Sequence, residues 1–136
     1  MINRARLAIE AGRTTTITQY AKVDQLEPQH LAEAARNGDL LAQELINDAG
    51  RYIGIALATL INLVNPGMIV LGGGVSLLGD SLLDPIHETV KVRSLVANYQ
   101  DTQIVIGQLG REAVALGAAT LVLQEVFQGP RLAASI

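Results

Sequence analysis

The chain has 136 residues, 49% of them hydrophobic and 17% charged, with a formal net charge of −3, two histidines and no cysteine. This composition indicates one folded globular domain and excludes a disulfide framework and any cysteine-based zinc site. The two histidines lie far apart, so no metal site is expected. Basic residues are scattered, and the longest apolar run, 53–64, is shorter than the ~20 residues that cross a bilayer. We therefore expect a cytoplasmic domain that binds neither nucleic acid nor membrane.

The first part of the chain reads as short helices joined by irregular segments. A short helix is predicted over 4–11, and Gly12 is expected to end it. The β-branched run 14–18 alternates poorly and is expected to form an irregular connection. A second helix is predicted over 28–37, with proline near its first position and Asn-Gly at its end. Asp39 is placed to cap the helix that follows.

A long helix is predicted over 40–64, where apolar residues recur with helical period. Gly50, Gly54 and Ala58 form a separate row on it, and each glycine costs about 0.5–1 kcal/mol relative to alanine. Such a row indicates that a neighbouring backbone packs closely inside the domain, with a subunit interface as the alternative. Asn-Pro at 65–66 ends the helix.

The second half alternates between strand and helix. Strands are predicted over 68–71 and 102–106, with helices over 82–95 and 112–127 and a frayed tail over 128–136. A βαβα order implies parallel strands joined by right-handed crossovers. Two strands are too few for an independent sheet, and their open edges invite further pairing. Either a copy of the chain or the missing strands of a longer polypeptide completes the sheet. We favour the longer polypeptide, with dimerisation expected when the piece stands alone.

The candidate site is the glycine turn of Gly72, Gly73 and Gly74, directly after the first strand. A strand, a glycine turn and a helix place free backbone N–H groups at the mouth of a sheet, where nucleotides and other anions commonly bind. The turn is not a G-x-G-x-x-G motif and lacks the lysine of a P-loop, so dinucleotide and P-loop interpretations are poor. A tight turn without any ligand is the structural alternative.

Several polar residues are assigned structural roles. Asn62 and Asn65 are expected to hydrogen-bond nearby backbone. Asp80 is expected to cap the helix after the glycine turn, with contact to a ligand hydroxyl as the alternative. His87 is expected on a solvated helix face, and His30 near a helix start has no special role.

Taken in order, segments of the chain resemble the C-terminal part of the ROK family of repressors, open reading frames and sugar kinases. The matching segments are 8–13, 34–39, 49–58, 61–66, 69–76, 79–80, 85–86 and 116–119. The resemblance implies an α/β fold of the RNase-H-like, actin-like class. It would contain the long central helix and the βαβα unit with parallel strands in an incomplete sheet.

For the site, the resemblance implies that Gly72, Gly73 and Gly74 look onto the adenosine side of an ATP site. The family's phosphate loop, catalytic aspartate, sugar motif and zinc-binding cysteine cluster are absent, as is the helix-turn-helix of its repressors. No catalytic residue is therefore assigned, and ATP with magnesium is expected only in a full-length kinase parent. The isolated chain is expected neither to phosphorylate sugars nor to bind DNA.

The resemblance implies a single domain over 1–136, the C-terminal portion of a longer ROK protein. Residues 1–26 would form an N-terminal helix and connection, 27–127 the α/β core and 128–136 the tail. We expect a sugar-sensing and oligomerisation domain of a transcriptional regulator, because the closing segment 121–130 looks more like that of regulators than of compact kinases. The alternatives are the adenosine-side domain of an ATP-dependent sugar kinase, and a degenerate module that only supports oligomerisation. The expected partners are the missing N-terminal domain and a second copy.

Overall fold

The computed structural model describes the backbone of residues 1–128, and their side chains except at 96–98, 111, 113, 125–126 and 128. The tail predicted over 128–136 lies outside the described residues from 129 onward, and Gln128 is the last residue of the final helix. The elements in chain order are α1 Ile2–Glu10, α2 Pro28–Arg36, α3 Leu40–Val64, β1 Met68–Leu71, α4 Asp80–Arg93, α5 Val96–Asp101, β2 Gln103–Ile106 and α6 Ala113–Gln128. Among residues 1–128, no helix combines the length and apolar composition that a bilayer crossing requires.

Helices α3 and α4 make the most extensive contact between elements. A Cβ atom added at Gly50 would lie 2.4 Å from Pro85 Cγ, and one added at Gly54 would lie 2.6 Å from Thr89 Cβ. Both distances are far below van der Waals contact, so only glycine allows the two helices to approach this closely. The predicted internal packing of the row is confirmed, and the row is not available as a subunit interface.

An asparagine joins the ends of the two helices. Asn62 Nδ2 donates to Arg93 O (3.1 Å), and the Leu95 N–H donates to Asn62 Oδ1 (2.9 Å). The expected local partner for Asn62 was wrong, since the backbone groups that it binds lie at and just after the end of α4, about thirty positions along the chain. Asn65 adopts the left-handed conformation with φ 45° and ends α3 immediately before Pro66, which confirms the predicted boundary.

The N-terminal segments also follow local signals. Helix α1 begins two residues earlier than predicted, and the run 14–18 is irregular, with a short 3-10 helix over Ile17–Gln19. Helix α2 begins at Pro28 as predicted. The Glu27 N–H donates to His30 Nδ1 (3.1 Å), which is one half of a capping box. His30 therefore has a capping role that its position in the sequence had not indicated.

The sheet consists of β1 and β2, which are parallel and in register from Met68↔Gln103 to Leu71↔Ile106. Their parallel order confirms the βαβ prediction. Helix α5 was not predicted; it fills the connection into β2. The Tyr99 ring on α5 lies edge-on to His87, with centroids 6.4 Å apart. His87 is thus half-buried against α5, and the expectation of a solvated face was wrong.

The core lies between α2, α3, α4 and one face of the sheet. Its largest fully buried side chains are Ile17, Leu31, Leu41, Ile46, Ile61, Leu82, Ile86 and Val90.

Helix α6 differs from the other long helices because its apolar side chains are exposed. They are Val114, Leu116, Leu121, Val122, Leu123 and Phe127. Apart from the adjoining 3-10 helix Gly110–Glu112, α6 makes few contacts with the rest of the chain.

Asp39 attaches the irregular N-terminal connection to the start of α3. Its Oδ1 accepts from the Ala42 N–H (2.8 Å), which confirms the predicted cap. Its Oδ2 accepts from Thr15 Oγ1 (2.8 Å), Thr16 Oγ1 (3.0 Å) and the Thr16 N–H. Burial raises the pKa of Asp39, but the hydrogen bonds from Ala42, Thr16 and Thr15 outweigh it and hold the pKa below its usual value.

Gly54→Ala should lower the free energy of unfolding by about 1–3 kcal/mol, because the added methyl group must push α4 away from α3. Gly117→Ala in α6 is the matched control: a Cβ there meets nothing within 4 Å. That variant should gain about 0.5–1 kcal/mol from helix propensity. Urea unfolding followed by circular dichroism measures both. Equal stability of Gly54→Ala and the wild type would contradict the close packing.

Asp39→Asn should lower the free energy of unfolding by about 1–3 kcal/mol at pH 7, since the amide retains one acceptor oxygen and loses the other. The folded-state pKa lies below the unfolded one, so the carboxylate stabilises the fold above the unfolded pKa, about 3.9. This stabilisation disappears as pH falls through the folded pKa. The difference between variant and wild type should therefore shrink below about pH 4. Urea titrations at several pH values measure it.

The exposed Asp84 on α4 provides the control for this series. Asp84→Asn should change the stability by less than about 0.5 kcal/mol. A constant difference between Asp39→Asn and the wild type across the acid range would contradict the assigned ionised state.

Candidate functional site

Both strands end in glycine at the same edge of the sheet. Gly72 follows β1 and Gly107 follows β2. The N–H of Gly107 donates to Leu71 O (2.7 Å). A Cβ added at Gly107 would lie 3.2 Å from Val70 Cγ1 and 3.3 Å from Leu71 O, so the site is tight. Gly107 was missed by the sequence analysis, although a glycine directly after a predicted strand was the available signal. We call this group the glycine edge; it comprises Gly72, Gly73, Gly74 and Gly107.

The turn after β1 needs glycine at one position for its conformation. Gly73 has φ 77° and ψ −162°, which L side chains rarely adopt. Its carbonyl accepts from the N–H (3.1 Å) and the Oγ (2.7 Å) of Ser76, which is buried. A 3-10 helix, Gly74–Leu78, intervenes before α4. Gly79, at φ 57°, makes a second bend, and α4 begins at Asp80, two residues before the predicted start.

Asp80 does not cap α4. Gly79 occupies the N-cap position without a side-chain hydrogen bond, and Asp80 is the first helical residue. The carboxylate still lies where the positive end of the helix dipole favours it. Beside it, a groove of about 290 Å³ separates α2 from the start of α4, and Arg36 and Asp80 give it opposite charges. The groove is lined by Ala32, Arg36, Leu77, Leu78, Gly79, Asp80, Ser81 and Ile106. None of the three turn glycines lines it.

The three glycines of the turn lie in open space. A Cβ added at Gly72, Gly73 or Gly74 would meet no heavy atom within 4 Å. Within residues 1–128, no hydrogen bond is made by the N–H of Gly72 or Gly73. Conformation explains the glycine at 73, but neither conformation nor packing in this chain requires glycine at 72 or 74. Their small size leaves room for a group from outside the chain to approach the backbone.

The glycine edge could form only one side of a binding site. It offers free N–H groups and van der Waals surface, but its four glycines carry no cationic side chain to balance phosphate charge. The uncharged base and ribose of a nucleotide fit such a wall better than its phosphates do.

Gly73→Ala should lower the free energy of unfolding by about 1–2 kcal/mol, because alanine is strained at positive φ. Gly72→Ala is the matched control one residue away and should be neutral or slightly stabilising, since its Cβ has space and its φ is ordinary. Thermal unfolding measures both. A loss at Gly72 equal to that at Gly73 would show that the turn is packed against something in the folded chain.

The chain is similar to known transcriptional regulators and to a glucokinase. It is 26% identical over 125 residues to the xylose repressor of Caldicellulosiruptor bescii. The alignment covers 92% of this chain and 31% of the repressor. It also resembles the structure of a ROK family transcriptional regulator homologous to the Escherichia coli Mlc protein. That match has 31% identity and a TM-score of 0.71, and covers 87% of this chain and 29% of the other.

A solved kinase matches as well. The ROK family glucokinase of Streptomyces griseus, in complex with glucose and AMPPNP, is 36% identical with a TM-score of 0.66, covering 76% of this chain and 34% of the other. The chain thus spans about a third of the length of the proteins that it matches. These likenesses confirm the predicted actin-like α/β class with an incomplete sheet. The ROK family model matches residues 5–125, and the chain belongs to the ROK family.

Proposed function

We propose that this chain is the C-terminal, sugar-responsive and oligomerisation domain of a ROK transcriptional regulator whose DNA-binding part lies elsewhere in the parent chain. The observation that carries the proposal is the extent of the match. In sequence, the xylose repressor of Caldicellulosiruptor bescii aligns with 92% of this chain, whereas the glucokinase of Halalkalibacterium halodurans aligns with 78%. A cytoplasmic location is part of the same proposal.

The second candidate is the adenosine-side domain of an ATP-dependent ROK sugar kinase. Two observations favour it: the Streptomyces griseus glucokinase is more similar in sequence than the xylose repressor, 36% against 26% identity, and its structure holds a nucleotide analogue. The open turn at Gly72, Gly73 and Gly74 would supply one uncharged wall of the nucleotide site. Phosphoryl transfer further needs a base, a metal and phosphate-binding groups, which the rest of such a parent would supply.

In a regulator, the same turn would persist for a structural reason, without a nucleotide site. Gly73 would remain because its positive φ holds the route from β1 to α4, and Ser76 fixes the carbonyl next to the bend. Gly72 and Gly74 distinguish the regulator from the kinase interpretation, since no described residue of the chain requires glycine there. The third interpretation, a degenerate module that only supports oligomerisation, predicts that neither position affects any ligand.

Sequencing the coding region around this chain tests whether the parent protein is a regulator or a kinase. A regulator predicts a helix-turn-helix segment upstream of the codon for Met1. A kinase predicts an Asp-x-Gly-x-Thr phosphate loop and a catalytic aspartate there instead. Finding the phosphate loop without a helix-turn-helix would overturn the regulator proposal in favour of the second candidate.

For the chain itself, calorimetric titration with glucose should show no binding, because the sugar motif of the family is not among its residues. Titration with ATP should show at most weak, magnesium-independent binding, since the glycine edge has no cation for the phosphates. Any ATP signal should be reduced in Gly72→Ala, whose methyl group occupies the open wall, while the fold is retained. A micromolar glucose affinity would refute the view that the sugar site lies elsewhere.

A further inference from the structure

Asn37 and Gly38 join α2 to α3 and form a chemically reactive pair. In an Asn-Gly sequence, the glycine nitrogen can attack the side-chain amide carbon of the asparagine, because glycine has no Cβ to obstruct the approach. Asn37 is the only asparagine in the sequence that is followed directly by glycine. The sequence therefore marks Asn37 as the residue that can lose its side-chain amide without an enzyme.

The fold requires glycine at position 38. Gly38 has φ 88°, in the left-handed region that L side chains rarely adopt. Its N–H donates to Ala35 O (3.0 Å), and the Asp39 N–H donates to Ala34 O (3.0 Å). This pair of hydrogen bonds is the Schellman motif that ends α2. The reactive sequence is thus a consequence of how the helix ends, and the attacking nitrogen is itself held by the motif.

The folded backbone keeps the two reacting atoms apart. Asn37 has φ −90° and ψ 15°, so the Gly38 nitrogen lies nearly eclipsed with the Asn37 nitrogen. Ring closure requires the Gly38 nitrogen on the side of Cβ instead, about 3–3.5 Å from Asn37 Cγ. The bond between Cα and the carbonyl carbon of Asn37 must therefore rotate by a large angle, which breaks the Schellman motif.

The side chain of Asn37 is fixed as well. Its Nδ2 donates to Tyr20 Oη (2.8 Å) and to Glu33 O (2.9 Å), which uses both N–H groups of the amide. Tyr20 belongs to the irregular N-terminal connection and packs against the core, which holds its hydroxyl in place. These contacts join residues of the chain to one another, so the protection of Asn37 is built into the fold.

We propose that Asn37 is a deamidation site, closed in the folded chain and reactive only when the end of α2 opens. In the opened chain, Gly38 N bonds to Asn37 Cγ, and the side-chain nitrogen leaves as ammonia together with the proton of Gly38 N. The product is a cyclic imide. One water molecule then adds to either imide carbonyl and breaks its C–N bond, which leaves aspartate or isoaspartate. The reaction consumes only water and is irreversible, so it marks molecules in which α2 has opened.

Either product weakens the end of α2. An aspartate at position 37 places a negative charge at the carboxyl end of the helix, where the helix dipole disfavours it, and Glu33 O loses a donor. Isoaspartate adds a methylene group to the main chain next to Gly38, so the Schellman motif cannot re-form with its observed geometry. Modified molecules should therefore open more easily. Asn37→Asp, the first of the two products, should lower the midpoint of urea unfolding relative to the wild type.

Comparing the reaction in the folded and unfolded chain tests the protection. Peptide mass spectrometry measures replacement of the Asn37 amide by a hydroxyl, and labelling with an isoaspartyl methyltransferase measures isoaspartate. At neutral pH, Asn37 should react at least about tenfold more slowly in the folded chain than in the same chain held unfolded in guanidinium chloride, since reaction requires opening. Asn47, which precedes Asp48, is the internal control and should react much more slowly than Asn37 in the unfolded chain. Asn37→Gln should abolish the isoaspartate signal.

Tyr20→Phe tests the hydrogen bond that holds the side chain, because it removes the hydroxyl and keeps the ring. The loss of one hydrogen bond should raise the deamidation rate of the folded chain by about two- to tenfold. In guanidinium chloride the variant and the wild type should react at the same rate, because the contact exists only in the folded chain. Tyr52→Phe is the matched control: Tyr52 is exposed on α3 beside Arg51, and its loss of the hydroxyl should leave both rates unchanged.

Equal deamidation rates in the folded and unfolded wild type would overturn the proposal, because the fold would then not protect the site. A folded Tyr20→Phe chain that reacts no faster than the wild type would also overturn it. So would a rate difference between these two chains that persists in guanidinium chloride. None of these measurements involves ATP, a sugar or the coding region, so the result is independent of whether the parent is a regulator or a kinase.

Discussion

The close approach of α3 and α4 is the constraint on which the rest of the structure depends. Gly50 and Gly54 are unfavourable residues inside a helix, yet their lack of a side chain lets Pro85 and Thr89 lie against the backbone of α3. The approach brings the apolar faces of the two helices together in the core. At the far end, Asn62 holds the last turn of α4. The separation of the helices is therefore set at both ends.

That separation also determines where the strands run. Strand β1 follows α3 after the left-handed turn at Asn65, and β2 follows α4 through α5. Two strands that leave neighbouring helices in the same direction become a parallel pair, and their carboxyl ends meet at one edge. The glycine edge is thus a product of the helix packing. Its open turn follows directly from the end of β1.

Two apolar surfaces of the described chain are exposed to solvent. The outer face of β1 and nearly the whole described surface of α6 are exposed, although parallel sheets and helices apolar on all sides are normally buried. A chain that spans about a third of its relatives is expected to have such surfaces.

The sequence by itself determined the local features: the ends of α2 and α3 at Pro28, Asp39 and Asn65, both strands, and the glycine turn. Each is set by residues within one turn of the chain, where capping, proline and glycine act directly. The tertiary structure alone decided the partners of Asn62, the tight position of Gly107, and the attachment of Thr15 and Thr16 to Asp39. Those contacts join residues more than twenty positions apart in the chain, so their geometry exists only in the folded chain.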